Sequence, residues 1–163
     1  MSSGLNKTGG DNHLQLKQWR AVLNEAVKEV FLMMVGAELS APEAVPPVVS
    51  EVAGMVGLAG ELCGVLTVRC GKVSARRIAC QMLGVTESEA AAQATDAVGE
   101  ICNMVAGSFK AKIDGLEDKC MLSVPTVISG DNYELHSLAS GERIELAVIF
   151  QGEPLWFSLE VQN

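Results

Sequence analysis

Residues that mark several common protein classes are scarce in this 163-residue sequence. It contains two histidines, and none of its five cysteines forms a CxxC pair, so we do not expect a zinc site. An odd number of unpaired cysteines instead predicts reduced thiols that pack as small hydrophobic side chains. Lys and Arg number 12 against 20 Asp and Glu, which gives a net charge of −8. That deficit of cations argues against general nucleic-acid binding, which depends on neutralising phosphates.

Long apolar stretches are missing as well. The longest, such as residues 30–37, fall far short of the ~20 residues that cross a bilayer. The N-terminal residues are polar and rich in Gly, Ser and Asn, which is not typical of a signal peptide. The sequence therefore predicts a cytoplasmic protein without a membrane-embedded part. Its hydrophobic content of 48% is sufficient for a compact core.

The first part of the chain divides into a tail and a helix. Residues 1–13 offer turns but no periodic apolar face, so we predict a disordered tail followed by a single domain over residues 14–163. From Leu14, apolar residues recur at intervals of three and four, which predicts a long helix. Three prolines should end that helix, at Pro42, Pro46 and Pro47.

The central part of the chain predicts a β-hairpin and a short helix. Residues 48–58 and 62–68 are rich in Val, Leu and Gly and are separated by a short turn segment. A helix is expected to follow over residues 75–83, because Ser74 is a favourable N-cap and Gly84 a favourable C-terminal end.

A second long helix and several strands complete the predicted fold. Thr86 and Glu89 form a capping box, which predicts the start of a helix that continues to about Ile113. The remaining sequence alternates between apolar and polar residues, and Gly152 marks a tight turn. Strands are predicted over residues 121–128, 133–138, 143–150 and 155–161. Two long helices packed on a largely antiparallel sheet, an α/β fold of the α+β-like kind, would account for this order.

The second long helix carries a polar stripe. Asp96, Glu100 and Asn103 occupy positions i, i+4 and i+7, which at ~100° per residue fall within a sector of roughly 60°. Gly107 and Lys110 extend the same stripe. The apolar residues that point the opposite way are Val98, Ile101, Val105 and Phe109. Such a helix would hold an acid and a carboxamide side by side at the surface, an arrangement suited to bringing water to a reactive phosphoryl group.

The stripe, together with Pro125 after a gap of 21 residues, resembles the motif of the CheC/CheX/FliY family of chemotaxis phosphatases. That motif is an Asp or Ser, a Glu four residues on, an Asn three further, and a proline roughly twenty residues later. The run NMVAGSFKAKI and the first helix EAVKEVFLMMVGAEL are also similar, and the resemblance extends over residues 14–161. CheC and FliY proteins often carry a second motif on the first helix, but here Glu25 is followed by Lys28 where Asn is needed. A single motif on the second long helix is most similar to CheX.

The resemblance implies a CheC-like layered sandwich, a homodimer, and a phosphatase that acts on the phosphoaspartate of a CheY-like receiver. Such a receiver brings its own Mg²⁺ and Lys, so this chain is expected to bind no metal or other cofactor. An acyl phosphate is already activated, and Asn103 is the candidate for holding the attacking water in line. By resemblance, Glu100 would form a charge-assisted bond with the receiver Lys. Asp96, Gly107 and Pro125 are expected to support the site.

The sequence leaves three other interpretations open. Glu100 and Asn103 fit the solvated face of a surface helix, and Pro125 fits an irregular strand edge. Cys70 and Arg76 form the C-x5-R spacing of cysteine-dependent phosphatases, although the residue before the cysteine is not the His of that family. A domain of this fold could also bind a receiver, or act as a scaffold, without catalysis.

Overall fold

Helix α1 spans Gly9–Val30 and continues into a π-helical turn over Phe31–Val35. Gly36 ends this turn with a φ of 70°, a conformation that residues with a side chain rarely adopt. Apolar residues three and four positions apart give α1 and its extension one buried face. These side chains, each at most 5% exposed, are Leu23, Ala26, Val27, Val30, Phe31 and Val35.

The computed structural model describes residues 9–131, 133–137 and 141–162. Within this part, α1 begins before the predicted Leu14, and residues 9–13 of the predicted tail are helical. Once a helix has formed, each added residue contributes a backbone hydrogen bond, so the helix extends into polar sequence that has no apolar periodicity. Residues 1–8 of the predicted tail lie outside the described residues.

The other elements follow in the predicted order of hairpin, short helix, long helix and strands. They are β1 (Val52–Gly60), β2 (Gly64–Cys70), α2 (Lys72–Leu83), α3 (Glu87–Ala90), α4 (Ala94–Lys112), β3 (Cys120–Leu122), β4 (Thr126–Ser129), β5 (Glu142–Phe150) and β6 (Glu153–Val161). A 3₁₀ turn over Ala91–Gln93 joins α3 to α4. The second long helix predicted from the capping box is therefore interrupted near its start.

The strands form one antiparallel sheet. Its order is β3-β1-β2-β6-β5, and β4 pairs with β1 along the same edge as β3. Gln151 and Gly152 join β5 to β6, and their positive φ values of 48° and 82° fit a two-residue type I′ turn. The predicted hairpin, the largely antiparallel sheet and the tight turn at Gly152 are confirmed.

The helices cover one face of this sheet. One row of buried side chains crosses that face from β1 to β5, through Val56, Leu66, Leu159 and Ile144. Helix α4 packs on β1 and β2, and both α1 and α2 pack against α4. Phe31 reaches the same face and meets Phe150 and Phe157 edge-on, with ring centroids 5.6 and 6.4 Å away. The result is the predicted layered α+β-like sandwich, in which two long helices pack on the sheet.

Two predicted helix boundaries are confirmed, and two are wrong. Gly36 ends the first helix before the three prolines are reached, so the prolines do not end it. Thr86 Oγ1 accepts from Glu89 N at 3.4 Å, and Glu89 Oε2 accepts from Thr86 N at 3.2 Å, so the capping box is present. Gly84 ends α2 in the left-handed conformation. The predicted N-cap at Ser74 is wrong, because α2 begins at Lys72 directly after β2 and buries Ser74 in its first turn.

Two of the predicted strands also differ from the structure. The strand predicted over residues 121–128 is divided into β3 and β4. Residues 133–137 form no strand, and Leu138 lies outside the described residues. Ser50 Oγ donates to Tyr133 Oη at 3.3 Å. The segment is therefore held by a side-chain contact with the loop before β1, which alternation of apolar and polar residues cannot reveal.

The five thiols are free, as predicted, and three of them pack in the core. Cys70, Cys102 and Cys120 are at most 2% exposed, whereas Cys63 is exposed. Burial raises the pKa of Cys70 to about 12, with a further contribution from Glu51. Burial likewise raises the pKa of Cys102 to about 12. Both side chains therefore stay neutral over the range in which an ordinary thiol ionises.

The free energy of unfolding is expected to fall as pH rises above 9.0, the ordinary thiol value. The unfolded chain loses the protons of Cys70 and Cys102 there, while the folded chain keeps them. Each thiol should therefore contribute a loss of about 1.4 kcal/mol per pH unit. Urea titrations from about pH 8 to 10.5 measure this slope. Cys70→Ala should lose stability less steeply than the parent, with Cys63→Ala as the control for removing a thiol. Equal slopes for the parent and Cys70→Ala would contradict the prediction.

Candidate active site

Helix α4 presents the predicted polar stripe on its outer face. Asp96 and Glu100 are exposed, and Asn103 is half-buried. The opposite side of the helix is buried, with Val98, Ile101, Val105 and Phe109 each at most 1% exposed. The amphipathic pattern is therefore confirmed, and packing in the core fixes the direction in which the stripe points.

Helix α4 approaches the sheet closely at Gly54 of β1. A Cβ added to Gly54 would lie 3.3 Å from both Cγ1 and the carbonyl oxygen of Val98, which leaves little room for a side chain. The Cys102 thiol donates to the carbonyls of Gly54 and Leu66, each at 3.5 Å. These contacts set the height of α4 over the sheet.

Pro125 lies in a bulge between β3 and β4. Leu58 pairs with Leu122 and Met55 with Thr126, so two residues of β1 face three residues of the other chain segment. Such an extra residue bends a strand. Proline, which has no N–H to donate, is tolerated there because the extra residue of a bulge is left unpaired. The irregular strand edge suggested by Pro125 is therefore present, and it explains why the predicted strand is divided.

Ser123 attaches this bulge to β1. Its backbone N–H donates to Gly57 O at 2.9 Å, and its Oγ accepts from Gly57 N at 2.8 Å. The same hydroxyl donates to the Val124 carbonyl at 3.1 Å. The three bonds fix the backbone that leads into Pro125.

Pro125 packs beside α4 at Gly99, which the sequence reasoning missed. A Cβ added to Gly99 would lie 3.5 Å from Pro125 Cβ and 3.0 Å from Val127 Cγ2. A glycine inside a helix is about 1 kcal/mol less favourable than alanine, so its presence there is itself a signal of close packing. Gly99 lies between Asp96 and Asn103 along the helix, and Pro125 therefore borders the stripe.

The C-terminal part of the stripe has a different environment. Lys110 Nζ donates to the carbonyls of Glu117 and Cys120, each at 2.8 Å. It therefore ties the end of α4 to the turn that leads into β3. A Cβ added to Gly107 would lie 4.0 Å from Leu122 Cδ1, so this position also faces β3. The part of the stripe that remains available to a partner consists of Asp96, Glu100 and Asn103.

Comparison with known proteins identifies the family. The sequence profile of the family described as chemotaxis phosphatase CheX matches residues 52–148, which is more than half of the chain. The chain belongs to the CheX family. The matched region includes the α4 residues of the stripe and Pro125. No curated protein matches this sequence significantly.

Solved CheX structures share the fold of this CheX-family chain. CheX from Vibrio vulnificus is 22% identical, with a TM-score of 0.73 over 89% of this chain and 97% of the other. CheX from Desulfovibrio desulfuricans is 22% identical, with a TM-score of 0.74 over 89% and 99%. CheX from Borrelia burgdorferi, crystallised in a complex with CheY, BeF₃ and Mg²⁺, is 18% identical, with a TM-score of 0.73 over 89% and 98%.

In this CheX-family chain, the part of α1 that was considered for a second motif forms ion pairs with α4. Lys112 Nζ lies 2.6 Å from Glu29 Oε2 and 3.7 Å from Glu25 Oε1, and Ser108 Oγ donates to Glu29 at 3.5 Å. The hydrogen bond and charge of Lys112 lower the pKa of Glu29. The segment in which a second motif was sought thus connects α1 to α4 and carries no Glu–Asn pair.

The cysteine-dependent alternative finds no support in the geometry. Cys70 is 0% exposed, and burial raises the pKa of its thiol to about 12, whereas a nucleophilic cysteine needs an accessible thiolate. Arg76 is exposed on α2. The pair therefore has the spacing of a phosphate-binding loop without its chemistry.

Neither a metal cluster nor a membrane-spanning helix is found in the described part of the chain. Over residues 9–131, 133–137 and 141–162, no three His, Cys, Asp or Glu side chains are grouped so that they could hold a metal ion. None of the helices there is both long enough and apolar enough to cross a bilayer.

Proposed function

We propose that this CheX-family chain hydrolyses the phosphoaspartate of a CheY-like response-regulator receiver. The observation that carries the proposal is the placement of Glu100 and Asn103 on the outer face of a packed helix, with Pro125 at its border. The family is described as a chemotaxis phosphatase, and the Borrelia relative forms a complex with CheY, BeF₃ and Mg²⁺. These findings support a receiver as the partner.

The proposed reaction requires few groups from this chain. Water attacks the phosphorus of the acyl phosphate, the bond from phosphorus to the aspartate oxygen breaks, and the products are inorganic phosphate, a carboxylate and a proton. The receiver's Mg²⁺ and Lys would stabilise charge on the phosphoryl oxygens. What remains is to hold the water in line with the leaving oxygen. The Asn103 carboxamide can accept one hydrogen bond from that water and donate another to the phosphoryl group.

Glu100 is proposed to dock the helix. Residues three apart on a helix are separated by ~4.5 Å along its axis and roughly 60° around it, so Glu100 and Asn103 fit one narrow receiver site together. The exposed carboxylate of Glu100 would pair with the receiver Lys through a charge-assisted hydrogen bond. Asp96, Gly107 and Pro125 shape and border the site. No nucleophile and no cofactor of this chain is required.

Mixing the protein with a phosphorylated CheY-like receiver and following phosphate release tests the proposal. The parent and Cys70→Ala should shorten the lifetime of the phosphorylated receiver equally, because the buried thiol takes no part. A loss of activity confined to Cys70→Ala would favour a thiolate mechanism. A binding-only module, the other class considered, would hold the receiver while its phosphate lifetime stayed unchanged.

The homodimer implied by the resemblance stays a prediction. Light scattering over a range of concentrations would determine the mass in solution. A monomer at every concentration would remove the homodimer from the proposal without affecting the single-chain site on α4.

A further inference from the structure

Gly99 is the closest point of contact between α4 and the strand that carries Pro125. A Cβ at this position would lie 3.0 Å from Val127 Cγ2, which is closer than almost all real Cβ contacts. It would also lie 3.5 Å from Pro125 Cβ, an ordinary contact distance. Alanine at position 99 would therefore require Val127, on the strand that follows Pro125, to give by a few tenths of an ångström.

The position of Gly99 on the helical wheel decides which part of the stripe this contact affects. At ~100° per residue, Gly99 lies roughly 40° from Asn103 but roughly 100° from Glu100. Pro125 and Val127 therefore flank the stripe on its Asn103 side. This agrees with the half-buried state of Asn103 and the exposed state of Glu100.

The bulge is fixed from the other side as well. One backbone and one side-chain hydrogen bond of Ser123 with Gly57 attach it to β1, and β4 then pairs with the same strand, shifted by one residue from the register of β3. Because the sheet holds Pro125 and the core holds α4, neither can move away freely, and the groups at their contact must fit the gap between them. Glycine at position 99 has no side chain and so allows that gap to be small.

We propose that Gly99 is a positioning residue, which sets the distance between Asn103 and Pro125 and so the width of the site in which the water is held. This inference rests on the proposed function. It assigns separate tasks to two adjacent residues of α4, since Gly99 sets the geometry on the Asn103 side and Glu100 meets the partner on the other. Helix stability alone would favour alanine over glycine here.

The Gly99→Ala variant should lower kcat for receiver dephosphorylation about tenfold, because small displacements of a positioned group lower rates steeply. The Michaelis constant for the phosphorylated receiver should change little, since Glu100 lies on the side of α4 away from the contact with Val127. The informative variant is Gly99→Ala/Val127→Ala, in which the group that a new Cβ meets is removed. Its kcat should recover to that of Val127→Ala alone. Gly10→Ala, in an open position on α1, is the matched control for a glycine replaced within a helix.

Failure of this inference can be told apart from failure of the proposed function. An inactive parent would overturn both. An active parent with an unchanged kcat for Gly99→Ala would overturn the inference alone. If kcat stays low in Gly99→Ala/Val127→Ala, the contact distance is not the cause. The same holds if the fall in kcat of Gly99→Ala is accompanied by a fall in its melting temperature.

Discussion

Asn103→Ala is expected to reduce kcat for receiver dephosphorylation at least about a hundredfold, with little change in receiver binding. The methyl group that remains can neither donate nor accept a hydrogen bond, so water in the site would lose its fixed direction. Folding should be unaffected, because Asn103 is half-buried at the surface and alanine is the better helix former. Single-turnover decay of the phosphorylated receiver measures the chemical step directly.

Asn24→Ala provides the matched control for this prediction. Asn24 is also a half-buried asparagine in a long helix, but it lies on α1 beside the loop over residues 40–46. Binding of the receiver activated with BeF₃⁻ and Mg²⁺, an analogue of the phosphorylated state, should be retained by both variants. If Asn103→Ala accelerates phosphate loss as much as the parent does, Asn103 does not orient the water.

Glu100→Ala is expected to act mainly on docking. A hydrogen bond to a charged partner contributes about 1.5–3 kcal/mol, so kcat/KM should fall roughly ten- to a hundredfold, chiefly through a higher KM. The Glu100→Gln variant keeps a hydrogen-bonding group without the charge and should fall between alanine and the parent. Because the pair would form between opposite charges near the surface, the difference between the parent and Glu100→Ala should shrink as salt concentration rises.

Glu43→Ala controls for the change in net charge. Glu43 is exposed in the loop after α1, so its replacement by alanine removes the same charge at a position away from α4. A weakening equal to that of Glu100→Ala would mean that overall charge, and not a specific pair, attracts the receiver. Unchanged kcat/KM for Glu100→Ala would remove this residue from the site.

The sequence was sufficient to predict the polar stripe of α4, because the stripe depends on the spacing of neighbouring residues. Spacing alone places Asp96, Glu100 and Asn103 on one face, and the core then requires the opposite face to be buried. The capping box and the turn at Gly152 were predictable for the same reason, since each is formed by neighbouring residues. The catalytic roles of Glu100 and Asn103 stay predictions, because a helical position does not by itself establish chemistry.

The features that were missed depend on contacts between distant segments. The bulge at Pro125 exists because β3 and β4 share the edge of β1 with a one-residue change of register, which no period in residues 121–128 reveals. Ser74 is a favourable N-cap by type, but the path of the chain out of β2 starts the helix earlier. Gly99 could have been noticed as a glycine within a helix, yet its neighbour Val127 could not have been named.

The ion pairs between α1 and α4 have a consequence for valency. Lys112 pairs with Glu25 and Glu29 on α1. The proposed receiver-binding residues Glu100 and Asn103 lie on one face of α4. Under the proposed function, each chain would serve one receiver at a time. Titration with activated receiver should therefore reach saturation at one receiver per chain, and a second receiver would have to wait for the first to leave.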